Sequence, residues 1–379
     1  MKLIEGGSIE FSASGKDIAA ALAKIIAVTT YVKSDDSKFL IAATKAGLYL
    51  VGASTDALAC IKISGEVKKT GTIRIDYDVV TGLLKARTEM LFKSDKGQLA
   101  FKEKKSNFQA QINITEFDAD DIELVSRQLH DPESTQMKKD VVEKMRAAIK
   151  KVMLTDFYEG KELTVVTSFS EKFMTVFCYD PYHIAVYKAK MKGVEPLRLA
   201  MPVKAFNVID KFMETDEVSF STSSGRLRAS SPEFIVSIPD TQHDESWFDA
   251  PQMYVKHVSE MKERATLTFD MNATKSINNM SALADKDTRM AIQMSGKAVT
   301  LSVNGKGGRV SDKFEATTSG KDIDMRVDPR VFMDLFKKLN EDSVVMTIYK
   351  VPGAMSSFIL KSKVNDGNLT LVGTYDEAK

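Results

Sequence analysis

Residues 70–114, TGTIRIDYDVVTGLLKARTEMLFKSDKGQLAFKEKKSNFQAQINI, hold one strand, one helix and three strands in that order. Thr70–Ile75 is rich in β-branched residues, and Asp78–Ala86 has helix-period apolar positions. Glu89–Lys93, Gln98–Glu103 and Phe108–Ile114 read as strands bounded by polar turns. The stretch before it repeats the order. Ile9–Ala13 is strand-like, and Ser14-Gly15 signals the start of a helix over Lys16–Val28. Strands follow at Phe39–Thr44, Leu48–Ala53 and Ala57–Ser64, with Lys45-Ala46-Gly47 and Ser54-Thr55-Asp56 as turns.

Downstream the pattern returns. Ile122–Arg127 is strand-like, Met137–Met153 is a long helix, and Leu163–Ser168, Phe173–Tyr179 and His183–Met191 are strands. Leu197–Met201 leads to a helix over Val203–Met213, then strands at Glu217–Ser221, Arg226–Ser230 and Glu233–Ile238. A third copy begins at Ala265–Asp270, with helices near Thr274–Leu283 and Pro329–Leu339. Its register can be checked by counting. Lys85, Lys211 and Lys337 end comparable apolar helix segments 126 residues apart, twice over, and the turns at Asp56, Asp180 and Asn304 are 124 apart, twice over. A fixed period of this length marks repeated structural units. The expected domains are 1–118, 119–248 and 249–379, with the polar stretch Asp240–Glu263 as a junction. Two helices per domain lay their apolar stripes on sheets, an α+β arrangement, and their opposite sides share one surface.

Composition narrows the function. The chain of 379 residues carries 53 Lys+Arg against 52 Asp+Glu, so no strongly basic total marks a nucleic-acid binder. A local basic face remains open, because the field of one face is what a ligand meets. Apolar residues are 43%, enough for packed cores, and no apolar run approaches the length of a membrane helix. The N-terminus lacks a signal-peptide core and two cysteines do not make a disulfide framework, so the expectation is a cytoplasmic protein.

The organisation resembles a known family, the bacterial sliding clamp, the beta subunit of DNA polymerase III. Cys178-Tyr179-Asp180-Pro181-Tyr182-His183-Ile184-Ala185 is similar to the segment that family writes Thr-Asp-Gly-His-Arg-Leu-Ala. Asp180, Ile184 and Ala185 fit, and Pro181 and Tyr182 replace the Gly-His part. Ile238-Pro239-Asp240 is similar to its Phe-Pro-Asp. The family ends in a Met-Pro-Met/Leu-Arg type tail that helps form a partner pocket, whereas this chain ends Val372-Gly373-Thr374-Tyr375-Asp376-Glu377-Ala378-Lys379. Such divergence suits a phage or plasmid version.

The resemblance implies the DNA clamp fold and a processivity factor encircling duplex DNA, with a replicative polymerase and a clamp-loader ATPase as partners. It implies no enzymatic activity and no cofactor. Geometry bears on the ring. Six helices about 10 Å apart enclose an axis circle of about 19 Å, too narrow for duplex DNA once the helix bodies are subtracted. Twelve leave a hole of about 28 Å, so a head-to-tail homodimer is expected.

A sliding ring needs cations aimed at phosphates and no contacts to base edges. The Met137–Met153 helix region holds Lys138, Lys139, Lys144, Arg146, Lys150 and Lys151 against Asp140 and Glu143. Lys85 with Arg87, Lys211, Lys337 and Lys338 stand at the ends of other helices, and Lys24 and Lys275 fall on the remaining two. The alternative is that lysines near helix C-termini complement the macrodipole on a solvated face. By the resemblance, the partner pocket includes Tyr182, His183, Ile184, Pro239 and Val372. Trp247-Phe248 either close that pocket or seal a domain junction. Phe157-Tyr158 stack on a strand of DNA, border the partner pocket or belong to the core.

No Walker-type or His-Glu-x-x-His motif occurs, and Gly305-Lys306-Gly307-Gly308 reads as a hairpin turn. Cys60 and Cys178 read as buried small residues, His183 as a surface or satisfied histidine, and Asp118-Asp120-Asp121 as a solvated loop rather than a metal site. Two other classes stay open: a strand-rich repeat protein of virion or scaffold assembly without DNA binding, and an enzyme whose site is not motif-like.

Overall fold

The computed structural model describes the chain outside residues 1–7, 32–36, 116–124, 126–133, 156, 158–162, 181, 224, 241–245, 271–274, 278, 281–282, 284, 286, 340–342, 351–355, 365–366 and 378–379. It forms two compact units, Met1–Val142 with Lys204–Gln242, and Glu143–Val203 with His243–Lys379.

The first unit has two antiparallel sheets. One is ordered β5 (Gly65–Lys69), β1 (Glu10–Ser14), β7 (Glu89–Asp95), β8 (Gln98–Glu103), β9 (Gln109–Asn113). The other is ordered β10 (Thr135–Lys138), β15 (Glu217–Ser223), β16 (Arg226–Ser230), β17 (Phe234–Pro239), β4 (Leu58–Ile63), β3 (Gly47–Ala53), β2 (Lys38–Thr44), β6 (Gly71–Arg74). Helix α1 (Gly15–Tyr31) buries Ile18, Leu22, Ile25 and Val28, one face at helical spacing. It lies so close to β3 that a side-chain carbon at Gly52 would overlap Ile25, which is why a glycine stands there. Helix α2 (Tyr77–Leu84) begins at Asp76, whose Oδ1 accepts from the Asp78 and Val79 amides at 3.0 and 3.4 Å. Phe11 stacks on Phe92 at 4.5 Å in the core.

The second unit is built on one thirteen-stranded antiparallel sheet. Its main path is β14 (Leu197–Pro202), β11 (Thr164–Phe169), β12 (Phe173–Tyr179), β13 (His183–Lys190), β26 (Gly367–Glu377), β23 (Ile323–Val327), β19 (Met290–Ser295), β20 (Ala298–Gly305), β21 (Gly308–Glu315). A branch through β25 (Ser356–Val364) adds β24 (Ser343–Tyr349), β18 (Glu263–Asp270) and β22 (Thr317–Gly320). Helix α3 (Lys139–Val152) and helix α4 (Val203–Ile209) each run through a boundary between the two sets of residues. Helix α5 (Ser246–Glu260) and helix α6 (Pro329–Lys337) belong to the second unit. Asp328 caps α6, with Pro329 in its first turn, and Phe332 packs within 5.3–6.4 Å of Phe269, Phe336 and Phe358.

The units cut through the expected middle segment for a reason visible in the pairing. β17 pairs with β4, from Phe234↔Ile61 to Ser237↔Leu58, so β15–β17 join strands of the first segment. β13 pairs with β26, so β11–β14 join strands of the last.

The expected element order holds in most places, with several differences: the helix expected over Met137–Met153 starts only at Lys139, Thr135–Lys138 being strand β10. The junction Asp240–Glu263 is largely helix α5: Phe248, Tyr254, Val255 and Val258 form an apolar stripe on it, continued by Met261 just past its end and obscured in the sequence by Pro251 and the polar residues between. Strand β5, with its mostly exposed Gly-Glu-Val-Lys-Lys, has no alternating pattern to read. α4 stops at Ile209 rather than Met213. Near Thr274–Leu283 only 275–277 and 279–280 are described as helical. The segment Ile122–Arg127 lies outside the described residues apart from Val125, which is helical and buried. The glycine run is a hairpin turn, with Gly305 paired to Gly308.

Replacing Phe332 with alanine removes the ring around which Phe269, Phe336 and Phe358 meet. The expected loss is about 3–5 kcal/mol, read as a lower chemical-denaturation midpoint. An unchanged midpoint would show that this cluster is not cooperative with the unit.

Candidate docking cavity and basic helices

The cavity starts from a tight connection. Between β12 and β13, Asp180 Oδ1 accepts hydrogen bonds from the Tyr182 and His183 amides at 2.7 and 2.9 Å, and the Asp180 amide donates to His183 O at 3.0 Å. The same oxygen sits 2.7 Å from His183 Nδ1, within hydrogen-bond distance of the ring. The His183 ring is buried, with Nε2 lacking a hydrogen-bond partner among the described residues. It is therefore a half-satisfied core histidine rather than a surface one.

Beside this turn, β26 brings Val372 opposite Ile184, and the Thr374 amide donates to Tyr182 O at 3.0 Å. A side-chain carbon at Gly373 would overlap the Phe358 ring, so glycine lets the strands close up here. Helix α5 supplies the opposite wall. Its Val258 is fully buried among Val166, Phe177, Ile184, Val186, Ile359 and Val372. Tyr254 Oη lies 3.0 Å from Ser357 Oγ, and the Arg198 guanidinium sits 5.3 Å over the Phe248 ring. The space left is a cavity of about 440 Å³ with Ile184, Val372, Tyr179, Pro251 and Tyr254 as its apolar walls and Asp180, Tyr182, His183 and Thr374 at its polar side.

Of the pocket residues expected from sequence, Tyr182, His183, Ile184 and Val372 come together here. Pro239 ends β17, paired to Arg226, in the other unit and is not a lining residue of this cavity. The Trp247 side chain lies outside the described residues, while Phe248 packs under α5. Sequence reading missed Tyr179, Ala250, Pro251, Tyr254 and Thr374. The signal for the α5 residues was its apolar stripe; Tyr179 and Thr374 had none beyond strand position.

The basic candidates separate into two groups. α3 buries Val141, Val142, Met145, Ala148, Ile149 and Val152 and exposes Lys144 and Lys150, with Arg146 and Lys151 half-buried beside them. Lys138 is exposed at the end of β10, Lys85 caps α2, Lys211 follows α4, and Lys275 and Lys337 are exposed; Lys24 is half-buried on α1. Two others are engaged inside the protein. Lys338 Nζ donates to Met153 O just past α3 and lies 3.6 Å from Asp334, with a side chain only 12% exposed. Asp334 also accepts from the Thr155 amide and hydroxyl at 3.2 and 2.8 Å. Arg87 lies 3.4 Å from Glu103 and covers the Phe108 ring at 3.8 Å. The Ser106 hydroxyl, the Thr88 amide and Arg87 together bring the Glu103 carboxyl down to about 2. Phe157 lies under Arg330 at 5.4 Å, and Tyr158 lies outside the described residues.

Among the described residues no group of His, Cys, Asp and Glu could hold a metal, and no helix is long and apolar enough to cross a membrane. Asp118, Asp120 and Asp121 lie outside the described residues.

No family model and no curated protein sequence matches the chain. Solved structures do. A DNA polymerase beta subunit of Streptococcus pyogenes matches with a TM-score of 0.77 at 13% identity, over 98% of this chain and 100% of that one. A putative DNA polymerase III beta subunit of Eubacterium rectale gives 0.76 at 13% over 97% and 99%, and the Bacillus subtilis DNA polymerase sliding clamp 0.75 at 12% over 98% and 100%. The protein has the α+β fold of the bacterial sliding clamps, along essentially its whole length.

Burial pushes both thiols, Cys60 and Cys178, up to about 12. At pH 8 about one thiol in ten thousand is then ionised, so a thiol reagent should leave the native protein unmodified and label both residues once guanidinium unfolds it. Labelling of the native protein at the rate of a free cysteine would contradict this.

Proposed function

We propose that the protein is a DNA polymerase processivity factor, a ring-shaped sliding clamp that encircles duplex DNA and tethers a replicative polymerase. The observation that carries the reading is the likeness to sliding clamps over nearly all of both chains. In this reading the chain is divided into three domains, 1–118, 119–248 and 249–379, and two copies close head to tail. Strands β9 and β21, each at the end of its sheet path among the described residues, offer edges for that closure. A clamp-loader ATPase opens the ring, and the setting is bacterial cytoplasm, in the cell or during infection.

The clamp performs no chemistry. It raises the effective concentration of polymerase at the primer end, so that a released polymerase rebinds before diffusing away. Lys144, Lys150, Arg146 and Lys151 on α3, with Lys24, Lys85, Lys138, Lys211, Lys275 and Lys337, meet phosphates without reading bases. Lys338 and Arg87 contribute by holding the ends of basic segments in place. The cavity between β13, β26 and α5 takes apolar anchors of a short partner segment.

Topology supplies the test. Protein loaded on nicked circular DNA should stay bound through high salt and leave when the circle is linearised; loss governed by salt alone would end the ring reading. Reversing Lys144, Lys150 and Lys151 to glutamate should lower loading at least about tenfold by weakening phosphate contacts, and unchanged loading would remove α3 from the DNA face. Ile184→Glu should cut polymerase stimulation at least about tenfold while light scattering still shows two chains.

A further inference from the structure

We infer that the site selects a partner segment carrying a carboxylate beside its apolar anchor, and that Arg289 and Arg326 read it. The inference rests on the docking reading above and adds the chemistry of the partner.

Tyr182 stands between two cavities. Its backbone is held on both sides, by Asp180 Oδ1 at 2.7 Å and the Thr374 amide at 3.0 Å, while the residue remains 37% exposed. One side is the apolar cavity of about 440 Å³; the other is a smaller one of about 80 Å³ walled in part by Arg289, Arg326 and Phe332. Tyr182 and Thr374 line both. An extended chain leaving the first cavity therefore crosses Tyr182 into the second. At about 3.3 Å per residue, a position one or two past the anchor reaches it.

The charges there are unevenly committed. The Arg289 guanidinium has one contact, Nη1 to Thr288 O at 3.2 Å, and no acidic partner among the described residues. Arg326 Nε is 3.9 Å from Asp324 Oδ1, a loose contact, and Asp324 Oδ2 already accepts from Gln293 at 2.9 Å. Asp328 faces the cavity but is taken by Arg330, whose Nε and Nη2 donate at 3.2 and 2.8 Å. Asp376 lies opposite Arg326 in the β23–β26 register. A guanidinium presents five N–H donors in a fork suited to a planar carboxylate. The small volume and the two nearby aspartates favour that single charge over a phosphate. The carboxylate comes from an Asp or Glu side chain or from the end of a chain.

Selection from two random heptapeptide libraries, one internal and one with a free C-terminus, on the full-length protein tests this. Peptides enriched on the wild type but not on Ile184→Glu should carry apolar anchors with Asp, Glu or the terminal carboxylate within two residues. The library that enriches identifies the source. On the Arg289→Gln, Arg326→Gln variant the anchors should persist and the acidic preference vanish. In a selected peptide, neutralising the acid should weaken wild-type binding about three- to fivefold, and Arg289→Glu should prefer a lysine in its place. Anchors enriched without an acid, or an acidic preference that survives loss of both arginines, would overturn the inference while leaving the docking reading intact. Identical selections on wild type and Ile184→Glu would overturn the docking reading, and this inference with it.

Discussion

The antiparallel pairing of β13 with β26, from His183↔Gly373 to Ala189↔Gly367, is the constraint on which the second unit depends. Seven residue pairs join segments nearly two hundred positions apart, and each strand has a further neighbour on its other side, β12 and β25. Because side chains alternate across a sheet, this register puts Ile184 and Val372 on one face together. A slip of β26 by one residue would turn Val372 away from Ile184 and α5 and spoil the apolar wall. The Asp180 turn and the Thr374–Tyr182 hydrogen bond hold the rim of the same junction.

Helix α5 completes the site and carries a cost. Pro251 removes a backbone donor inside the helix, worth about 3 kcal/mol in an ordinary helix interior. Burial of Val258 and the packing of Phe248, Tyr254, Val255 and Met261 against the sheet offset it. The proline itself lines the cavity, so the residue that weakens the helix also shapes the site.

Near-neutral total charge coexists with a basic helix because the cations divide by role. Lys338 and Arg87 are held by carboxylates and a carbonyl within the protein, while Lys144 and Lys150 project from α3. Both groups look alike in a composition, and proximity to a helix end does not separate them. Lys338 differs from Lys337 by one position, about 100° around the helix, which takes it from solvent to the Met153 carbonyl.

The sequence by itself determined most of the element order, because turn chemistry and apolar period are local properties; the caps that the structure shows at Asp76 and Asp328 are local in the same way. It also pointed to Tyr182, His183, Ile184 and Val372. It left α5 hidden, since a proline and intervening polar residues in an otherwise continuous helix obscure an apolar stripe that only the underlying sheet reveals. Tertiary structure alone decided that the middle segment shares its strands between two sheets, that His183 is buried, and that Lys338 is internal. Each of these depends on which distant strand or helix lies alongside, and residue type at one position carries no record of a neighbour supplied from far along the chain.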